Sequence, residues 1–492
     1  MISADSPTTA DRGGLAAGPV AFVDVETTGG HPAWHRITEI AIVAMCAGRV
    51  EWEWSSLVNP GCTIPPSIQR LTGISNEMVA AAPPFEQLAS EVEARLAGRR
   101  FVAHNARFDY GFVRAELRRA GRHFVAPLAC TVRLSRELYP EAERHNLDAL
   151  IARHDLECSA RHRALPDAQV LAQLWGKLMA AWPATTLDAA LERVGRRPSL
   201  PAHLSTDLID DLPESAGVYR FYGGEVGSGN TAGGETLIYV GKANNLRERV
   251  LAHFMGATRD SKSQRLAAQT RRIEWTETAG ELGALLLESK LVRELQPVYN
   301  RRLRGGGEQW SWLIDDAGHA PRLQMLEGAV PRDVDAFGLY RSARQAKTAL
   351  TGLAREHKLC LRVLGLEAGG EGSCFAYQVG RCAGACVGAE PPLKHGLRLK
   401  LLLAPVKLRS WPYPGAIAVE ETSALGLRHW HVIDGWQYLG TVVAGTEDSE
   451  VPSTESLVPR GDEGGFDADV YRILCRHIKP QARNLRPWPP RA

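Results

Sequence analysis

Apolar and polar residues recur along the chain at two different spacings, which together predict an α/β architecture. The run PVAFVDVET is typical of a buried strand, and strand-like and helix-like segments alternate from Val20 to about Met179. The last helix of this stretch is expected over about Asp167–Met179, where apolar residues follow a helical period. Because alternating strands and helices build α/β domains, the first part of the chain is predicted to be one.

A second unit is predicted from about Leu212. The segments GVYRFY and TLIYV are expected to form a hairpin joined by a flexible, Gly-rich loop over 223–235. A helix is predicted from about Asn245, and another over Glu281–Leu295, ended by Pro297. From about residue 391 onward the pattern becomes strand-like.

These patterns predict an α/β multidomain protein. The expected segments are a disordered N-terminus (1–17), an α/β domain (18–181), a linker (182–210), a small α/β domain (211–303), an unassigned stretch (304–354), a cysteine-rich segment (355–390) and a mixed C-terminal region of unknown role (391–492).

Composition narrows the class of protein. A chain of 492 residues suggests roughly three domains, and 44% hydrophobic with 23% charged residues is ordinary for a globular protein. We see no apolar run of the ~18 residues that a membrane span needs, and the N-terminal segment does not resemble a secretory signal. We therefore expect a cytoplasmic protein. The net charge of +2 neither requires nor excludes nucleic acid.

Five polar groups in three segments suggest a site for two metal ions. Asp24 and Glu26 share one face of a predicted strand, Asp109 begins a predicted helix, and His162 precedes Asp167 at the start of the next. Carboxylates suit Mg²⁺ or Mn²⁺, and two such ions stabilise both the attacking and the leaving oxygen of a phosphodiester. His162 could take the proton of the attacking water.

A lone pair of acids on a strand is usually a solvated strand end, but three such segments in this order are not easily accidental. DVETTG, HNARFD and HRALPDA resemble the motifs of the DEDDh exonuclease family, over about residues 18–180. That family includes the epsilon-type proofreading subunit of DNA polymerase III and also RNA exonucleases. The resemblance implies a ribonuclease-H-like fold and 3′→5′ removal of nucleotides. It also implies Asp24, Glu26, Asp109 and Asp167 as ligands of two Mg²⁺ or Mn²⁺ ions, with His162 as the base.

A second set of residues lies on the predicted hairpin and the helices after it. Its members are Tyr219, Tyr239, Lys242, Arg249, Glu288 and Asn300. A tyrosine can contact or deprotonate a water, an arginine can pair with a phosphate, and a glutamate can hold a divalent ion. Taken singly, the tyrosines fit strand packing and the arginine a solvated helix face. Glu288 is harder to dismiss because leucines surround it.

The set resembles the GIY-YIG nuclease domain of the UvrC/Cho excinucleases, over about residues 211–303. GVY, YVGKANNLRERV and the ending E…PVYN carry the likeness. It implies that Tyr219, Tyr239, Arg249, Glu288 and Asn300 are catalytic or supporting, with one Mg²⁺ or Mn²⁺ on Glu288. Lys242 adds positive charge nearby. The long loop at 223–235 departs from the family pattern and could contact DNA.

Four cysteines lie close together in the later part of the chain, namely Cys360, Cys374, Cys382 and Cys386. Four thiolates suit structural zinc or an iron–sulfur cluster, and unligated buried cysteines are the plain alternative. The segment resembles the cysteine-rich region of UvrC-type proteins, which implies a 4Fe–4S cluster first and Zn²⁺ second.

Three different functions are consistent with these motifs. The first is a DNA repair nuclease that combines 3′→5′ exonuclease activity with UvrC/Cho-like incision of damaged DNA in nucleotide excision repair. The second is a proofreading exonuclease with a DNA-binding appendage, and the third is a protein that only binds damaged DNA or a UvrB-type partner. We find no second endonuclease domain and no helix-hairpin-helix pattern, so the chain is more similar to the shorter Cho type preceded by an exonuclease.

Overall fold

A computed structural model describes residues 14–196, 200–201, 203–205, 207–223, 235–255, 261–300, 308–315, 320–370, 372–424, 426–444, 458–459, 466–479 and 482–488. The chain divides into two compact units. The first contains the described residues up to Leu200, Ser205–Asp211 and Ala424–Gly426, and the second contains the remainder. Among the described helices, none combines the length and apolar character that crossing a bilayer requires.

The first unit is an α/β fold. Its strands are β1 (Val20–Thr27), β2 (Ile37–Cys46), β3 (Arg49–Leu57), β4 (Arg100–Ala103) and β5 (Leu128–Cys130). Its helices are α1 (Pro66–Thr72), α2 (Asn76–Ala80), α3 (Phe85–Leu96), α4 (Arg107–Arg119), α5 (Thr131–Leu138), α6 (Leu147–His154), α7 (Ala164–Ala181), α8 (Ala184–Gly195) and α9 (Leu208–Asp211).

The sheet of the first unit has the order β3-β2-β1-β4-β5. The β3-β2-β1 half is antiparallel, whereas β4 and β5 run parallel to β1. Alternate residues of β1 enter separate cores on the two faces. Phe22 packs with Trp175 of α7, and Val23 packs with the cluster that includes Phe112 of α4. Because both faces are covered, β1 is apolar almost throughout, as expected for a buried strand.

The boundaries of this unit differ from the sequence prediction. The expected linker at 182–210 contains α8, whose apolar side chains at helical spacing, Leu187, Ala190, Leu191 and Val194, join the core of the first unit. Prolines at both sides of this segment obscured an amphipathic helix. Residues 14–17, expected to be disordered, are packed: the carbonyl of Ala16 accepts a hydrogen bond from Trp175 Nε1 at 3.0 Å. Residues 1–13 lie outside the described part.

The second unit contains three antiparallel sheets with helices around them. Its strands are β6 (Gly217–Gly223), β7 (Thr236–Ala243), β8 (Thr270–Glu277), β9 (Trp310–Ile314), β10 (Arg322–Met325), β11 (Asp335–Tyr340), β12 (Ile417–Thr422), β13 (Arg428–Asp434), β14 (Gln437–Ala444), β15 (Val458–Pro459) and β16 (Leu485–Pro487). Its helices are α10 (Leu246–Phe254), α11 (Ser261–Gln269), α12 (Glu281–Leu295), α13 (Ala343–Glu356), α14 (Phe375–Gln378), α15 (Pro392–Leu403) and α16 (Ala468–His477).

The three sheets have the orders β7-β6-β8, β10-β9-β11 and β15-β14-β13-β12-β16. The predicted hairpin is confirmed, since β6 pairs with β7 in antiparallel register; its loop at 224–234 lies outside the described residues. The predicted helix Glu281–Leu295 is confirmed at both ends. The stretch left unassigned from the sequence, 304–354, contains β9, β10, β11 and α13 within its described parts.

Candidate nuclease centres

The fold of the first unit brings distant carboxylates together. Asp24 and Glu26 lie on the face of β1 that α7 covers, and Asp167 lies in the first turn of α7. Oxygens of these three side chains lie within 4.8 Å of one another. The residues come from two segments more than a hundred positions apart, so only tertiary packing creates the cluster.

Asp109, on α4, is a fourth carboxylate beside this group. It lies in the first turn of α4, is buried, and accepts a hydrogen bond from the backbone N–H of Val25 at 3.2 Å. This bond attaches α4 to the segment of β1 between Asp24 and Glu26. Burial, reinforced by the neighbouring Asp109 and Glu26, raises the pKa of Asp24 well above its ordinary value.

The electrostatics of this centre favour the binding of a cation. Burial, together with Asp167 and Glu39, raises the pKa of Glu26 to about 7. Four acids this close are costly to ionise unless positive charge compensates them. Arg161 supplies some of it, since its guanidinium hydrogen-bonds to Asp167 and, at 2.8 Å, to Asp148. Clustered oxygen ligands of this kind suit Mg²⁺ or Mn²⁺.

His162 lies on the loop that leads into α7. Its side chain is exposed, and its backbone N–H donates to Asp167 Oδ2 at 3.3 Å. Its backbone φ of 60° is in the left-handed region, which non-glycine residues seldom adopt. This turn leaves the imidazole at the solvent side of the carboxylate group, where a general base could reach an attacking water.

Glu39 is a residue of this centre that the sequence analysis missed. Its buried carboxylate, on β2, accepts from the backbone N–H of Ala164 at 2.9 Å and pairs with Arg163 at 2.6 Å. It therefore occupies the capping position at the N-terminus of α7 and holds the turn that presents Asp167. Glu39 is the cross-strand partner of Glu26, and this register becomes known only from the folded sheet.

The two tyrosines of the second unit lie on neighbouring strands. Tyr219 on β6 is fully buried and Tyr239 on β7 is partly buried, with ring centroids 6.0 Å apart. Gly241 makes the approach possible, because a Cβ there would lie 2.5 Å from the Tyr219 hydroxyl oxygen. Burial raises the pKa of both phenols, so each is a protonated group at neutral pH.

His253, on α10, is a second residue that the sequence analysis missed. Its Nε2 lies 2.8 Å from the hydroxyl oxygen of Tyr219. Arg249 lies one turn earlier on the same helix, and its positive charge opposes the rise in the pKa of both tyrosines. A histidine near the end of an amphipathic helix has no distinguishing sequence signal, and only the packing of α10 against β6 identifies it.

Glu288 and Lys242 face each other across α12 and β7. Glu288 accepts a hydrogen bond from the backbone N–H of Lys242 at 3.3 Å, and burial raises the pKa of its carboxyl. The Lys242 ammonium pairs instead with Glu281 at 2.9 Å. Glu288 is thus a desolvated carboxylate beside the tyrosine pair, which is suitable for a single divalent ion.

Asn300 hydrogen-bonds to the backbone of β7 through both ends of its side-chain amide. It is buried, its Oδ1 accepts from the N–H of Val240 at 3.0 Å, and its Nδ2 donates to the carbonyl of Val240 at 2.8 Å. Both polar groups of the amide are therefore committed to β7, between Tyr239 and Gly241. The structure places Asn300 where it supports the strand that carries Tyr239.

The four clustered cysteines converge in the folded chain. Sulfurs of Cys360, Cys374 and Cys382 lie within 4.8 Å of one another, and Cys386 Sγ lies 3.4 Å from the backbone nitrogen of Cys374. Cys360 also donates its backbone N–H to buried His395 at 3.0 Å. Convergent thiols fit a thiolate-bound metal centre, and this spacing is compatible with either zinc or an iron–sulfur cluster.

Family models match nearly the whole described chain in four consecutive parts. They are an exonuclease model over residues 21–175, a UvrC-like GIY-YIG domain over 215–301, the UvrC/Cho excinuclease middle domain over 309–404, and the excinuclease Cho C-terminal domain over 416–492. The middle domain joins the unassigned and cysteine-rich segments, which the sequence analysis had kept separate.

The exonuclease and GIY-YIG family matches define the chain as a hydrolytic nuclease, and its exonuclease fold implies dependence on a divalent metal ion. Excinuclease Cho of Salmonella typhi is 37% identical over 286 residues, which cover 56% of this chain and 87% of that protein. Excinuclease Cho of Escherichia coli K12 is 36% identical over 280 residues, with the same coverage of both chains. The chain belongs to the excinuclease Cho family, and it carries an exonuclease domain in addition.

A longer match extends beyond the excinuclease Cho part. A protein of Mycobacterium tuberculosis described as a bifunctional exonuclease/endonuclease is 34% identical over 373 residues, covering 71% of this chain and 54% of that protein. Among solved structures, exonuclease X in complex with 5′ overhanging duplex DNA is 27% identical. It covers 35% of this chain and 99% of its own, with a TM-score of 0.29.

Proposed function

We propose that this chain is a bifunctional DNA repair nuclease. Its first centre removes nucleotides from 3′ ends, and its second incises damaged DNA in nucleotide excision repair. The observation that carries the proposal is the presence, in one chain, of three converging carboxylates with Asp109 beside them and a separate tyrosine–glutamate centre in an excinuclease Cho framework. Divalent ions at both centres supply Lewis-acid stabilisation of the phosphate charge.

At the first centre, Asp24, Glu26, Asp109 and Asp167 hold two ions, and His162 accepts the proton of the attacking water. The water oxygen bonds to phosphorus as the bond to the 3′ oxygen breaks, which releases the terminal nucleotide. Arg161, which bonds to Asp167 and to Asp148, places positive charge beside the carboxylates and offsets part of their repulsion.

At the second centre, Glu288 holds one ion and Arg249 pairs with the scissile phosphate. Tyr219 accepts the proton of the attacking water while its own phenolic proton passes to Nε2 of His253, which is within hydrogen-bond distance of the phenol. The water oxygen bonds to phosphorus as the bond from phosphorus to the leaving oxygen of the strand breaks. Tyr239 borders the same space, Lys242 adds positive charge, and Asn300 keeps β7 in register. The clustered cysteines hold a 4Fe–4S cluster, with zinc as the alternative, and a UvrB-type protein is the loading partner.

The two centres would act in sequence on one strand. UvrC-like GIY-YIG domains cut on the 3′ side of a lesion, which leaves a 3′ hydroxyl on the lesion-bearing piece. That end is the substrate of a 3′→5′ exonuclease, and fusion keeps it at high effective concentration.

The test uses duplex DNA with one lesion, labelled at the 5′ end of the damaged strand, with a UvrB-type loading protein and Mg²⁺. We expect wild type to give fragments trimmed from the incision toward the lesion. Asp24→Ala should give one sharp, longer band, and Glu288→Gln should give no incision beside the lesion, only loss of nucleotides from the original 3′ end. If wild type also removes nucleotides from 3′ ends without incising the damaged strand, the proofreading alternative is supported instead.

A further inference from the structure

Helix α12 contributes to two hydrophobic cores. Ala284 and Val292 pack beneath the β7-β6-β8 sheet of the GIY-YIG domain. Leu282 and Leu286, on another side of the helix, pack in a cluster that residues from Ile417 onward share with residues of the middle domain. The helix that bears Glu288 is therefore buried on one side by its own domain and on another by a core to which the C-terminal region (residues 416–492) contributes. This explains why its sequence, ELGALLLESKLVREL, is apolar on more than one side.

The N-terminus of α12 is capped from the C-terminal region. Its N-cap residue is Gly280, which has no side chain to accept the first backbone N–H groups. Glu421, on β12, takes that role: Oε1 accepts from the N–H of Leu282 at 2.9 Å, and Oε2 accepts from that of Gly283 at 2.8 Å. A carboxylate here satisfies two unpaired donors and complements the positive end of the helix dipole.

His431 orients the capping carboxylate. Its Nε2 lies 3.0 Å from Glu421 Oε2, and its Nδ1 lies 2.8 Å from Thr441 Oγ1. Burial opposes ionisation of Glu421, but the bonds to His431 and to the two backbone N–H groups lower the pKa of its carboxyl overall. The carboxylate is therefore charged at neutral pH.

Glycines at the start of α12 leave room for Glu421 and His431. A Cβ on Gly280 would lie 2.5 Å from Glu421 Oε1, and a Cβ on Gly283 would lie 3.0 Å from the His431 ring. Farther along the helix, Arg293 pairs with Asp467, which itself caps α16. Two ionic contacts, near the two ends of α12, thus join the Glu288 helix to the C-terminal region.

We propose that the C-terminal region supports incision by holding α12 in place. Glu421 is the positioning residue: it caps α12 and so keeps Glu288 against β7. Within the described residues, Glu421 bonds to the first turn of α12 and to His431. It acts through the first turn of α12, two turns before Glu288. The inference rests on the proposed role of Glu288 as the metal ligand.

The first test measures backbone hydrogen exchange in metal-free protein, which requires no activity. Glu421→Gln keeps the shape of the side chain, but its single oxygen can accept from only one of the two N–H groups. Exchange in the peptide that contains Leu282 and Gly283 should become about fivefold faster, the usual effect of losing a helix cap. Exchange in α7 of the exonuclease domain should not change. Glu420→Gln is the matched control, because Glu420 lies on the same strand but pairs with Arg428.

The second test measures incision in the same variants. Glu421→Gln should raise the Mg²⁺ concentration for half-maximal incision about fivefold, with the KM for DNA and the exonuclease rate unchanged. Excess Mg²⁺ should restore its rate, whereas it should not restore Glu288→Gln. Thr441→Val, which removes the hydroxyl that supports His431 and also contacts the Tyr438 hydroxyl, should show a smaller shift and serves if Glu421→Gln does not fold.

Three outcomes would overturn the inference. They are exchange in Glu421→Gln equal to that in Glu420→Gln, faster exchange with unaltered incision, or incision that excess Mg²⁺ does not restore. If Glu421→Gln does not fold, the inference fails when Thr441→Val matches Glu420→Gln in both measurements. Incision by Glu288→Gln at the wild-type rate would refute the proposed metal ligand instead, and the exchange result would still report whether Glu421 caps the helix.

Discussion

The hydroxyl oxygen of Tyr219 lies 2.8 Å from Nε2 of His253, inside a cluster of aromatic rings. Because burial raises the pKa of this phenol, it stays protonated unless a neighbouring base accepts its proton. His253 is positioned to do so, and it connects α10 to the strand that bears the GVY motif.

His253→Gln should therefore lower the incision rate by roughly 10²–10⁴-fold, the usual contribution of a positioned base. Glutamine can still accept a hydrogen bond from Tyr219, but it cannot be protonated. Single-turnover incision at saturating DNA is the measurement, with the exonuclease rate of the same protein as the internal control. Wild-type incision by the glutamine variant would mean that His253 only orients the phenol.

Asp24→Asn should separate stability from activity in the exonuclease unit. The substitution removes one charge from a group whose burial and like-charged neighbours disfavour ionisation. Without metal, the exonuclease unit of the variant should melt at a higher temperature than that of wild type. The difference is about 2–4 °C for each ~1 kcal/mol gained in the free energy of unfolding. It should degrade no 3′ ends, and Mg²⁺ should stabilise it less than it stabilises wild type. Scanning calorimetry with and without Mg²⁺ checks this; an equal Mg²⁺ shift in both proteins would contradict the ligand assignment.

Glu39→Gln should impair only the first centre. It weakens the cap on α7 and the pair with Arg163, so Asp167 loses part of its support. We expect the exonuclease rate to fall about tenfold, because a lost cap and a lost charged hydrogen bond together are worth roughly 1–2 kcal/mol. Incision should not change.

Glu53→Gln is the matched control for that experiment. Glu53 also contacts α7, through the Gln169 amide at 2.7 Å, but at an exposed position away from the first turn. If the two variants have equal exonuclease rates, Glu39 has no special role in holding Asp167.

Oxygen-free preparation should give brown protein with about four irons per chain if the cysteines hold a 4Fe–4S cluster. Cys382→Ser should lose the colour, because it removes one of the three converging sulfurs. Iron and zinc analysis, with absorption spectra, decides the matter. Colourless wild-type protein with one stoichiometric zinc would support the alternative.

The local sequence was sufficient to predict the secondary structure near both centres. Period-2 alternation placed Asp24 and Glu26 on one face of β1, and the sequence pattern predicted helices from about Asn245 and over Glu281–Leu295, which are α10 and α12. These features depend on neighbours along the chain, which is why a single sequence contains them. The amphipathic helix α8 was missed because flanking prolines suggested a linker.

Tertiary structure alone decided which groups face each other. Glu39 and Ala164 are 125 residues apart, Glu421 and Leu282 are 139 apart, and each pair forms a cap at the N-terminus of a helix that bears a carboxylate of one of the centres. Such contacts depend on how strands and helices pack, which local propensity does not encode. The sequence by itself determined which residues are available for chemistry and which strands and helices carry them. The supporting role of Glu39, His253 and Glu421 arises only when distant segments bury their apolar faces together and bring these polar groups within bonding distance.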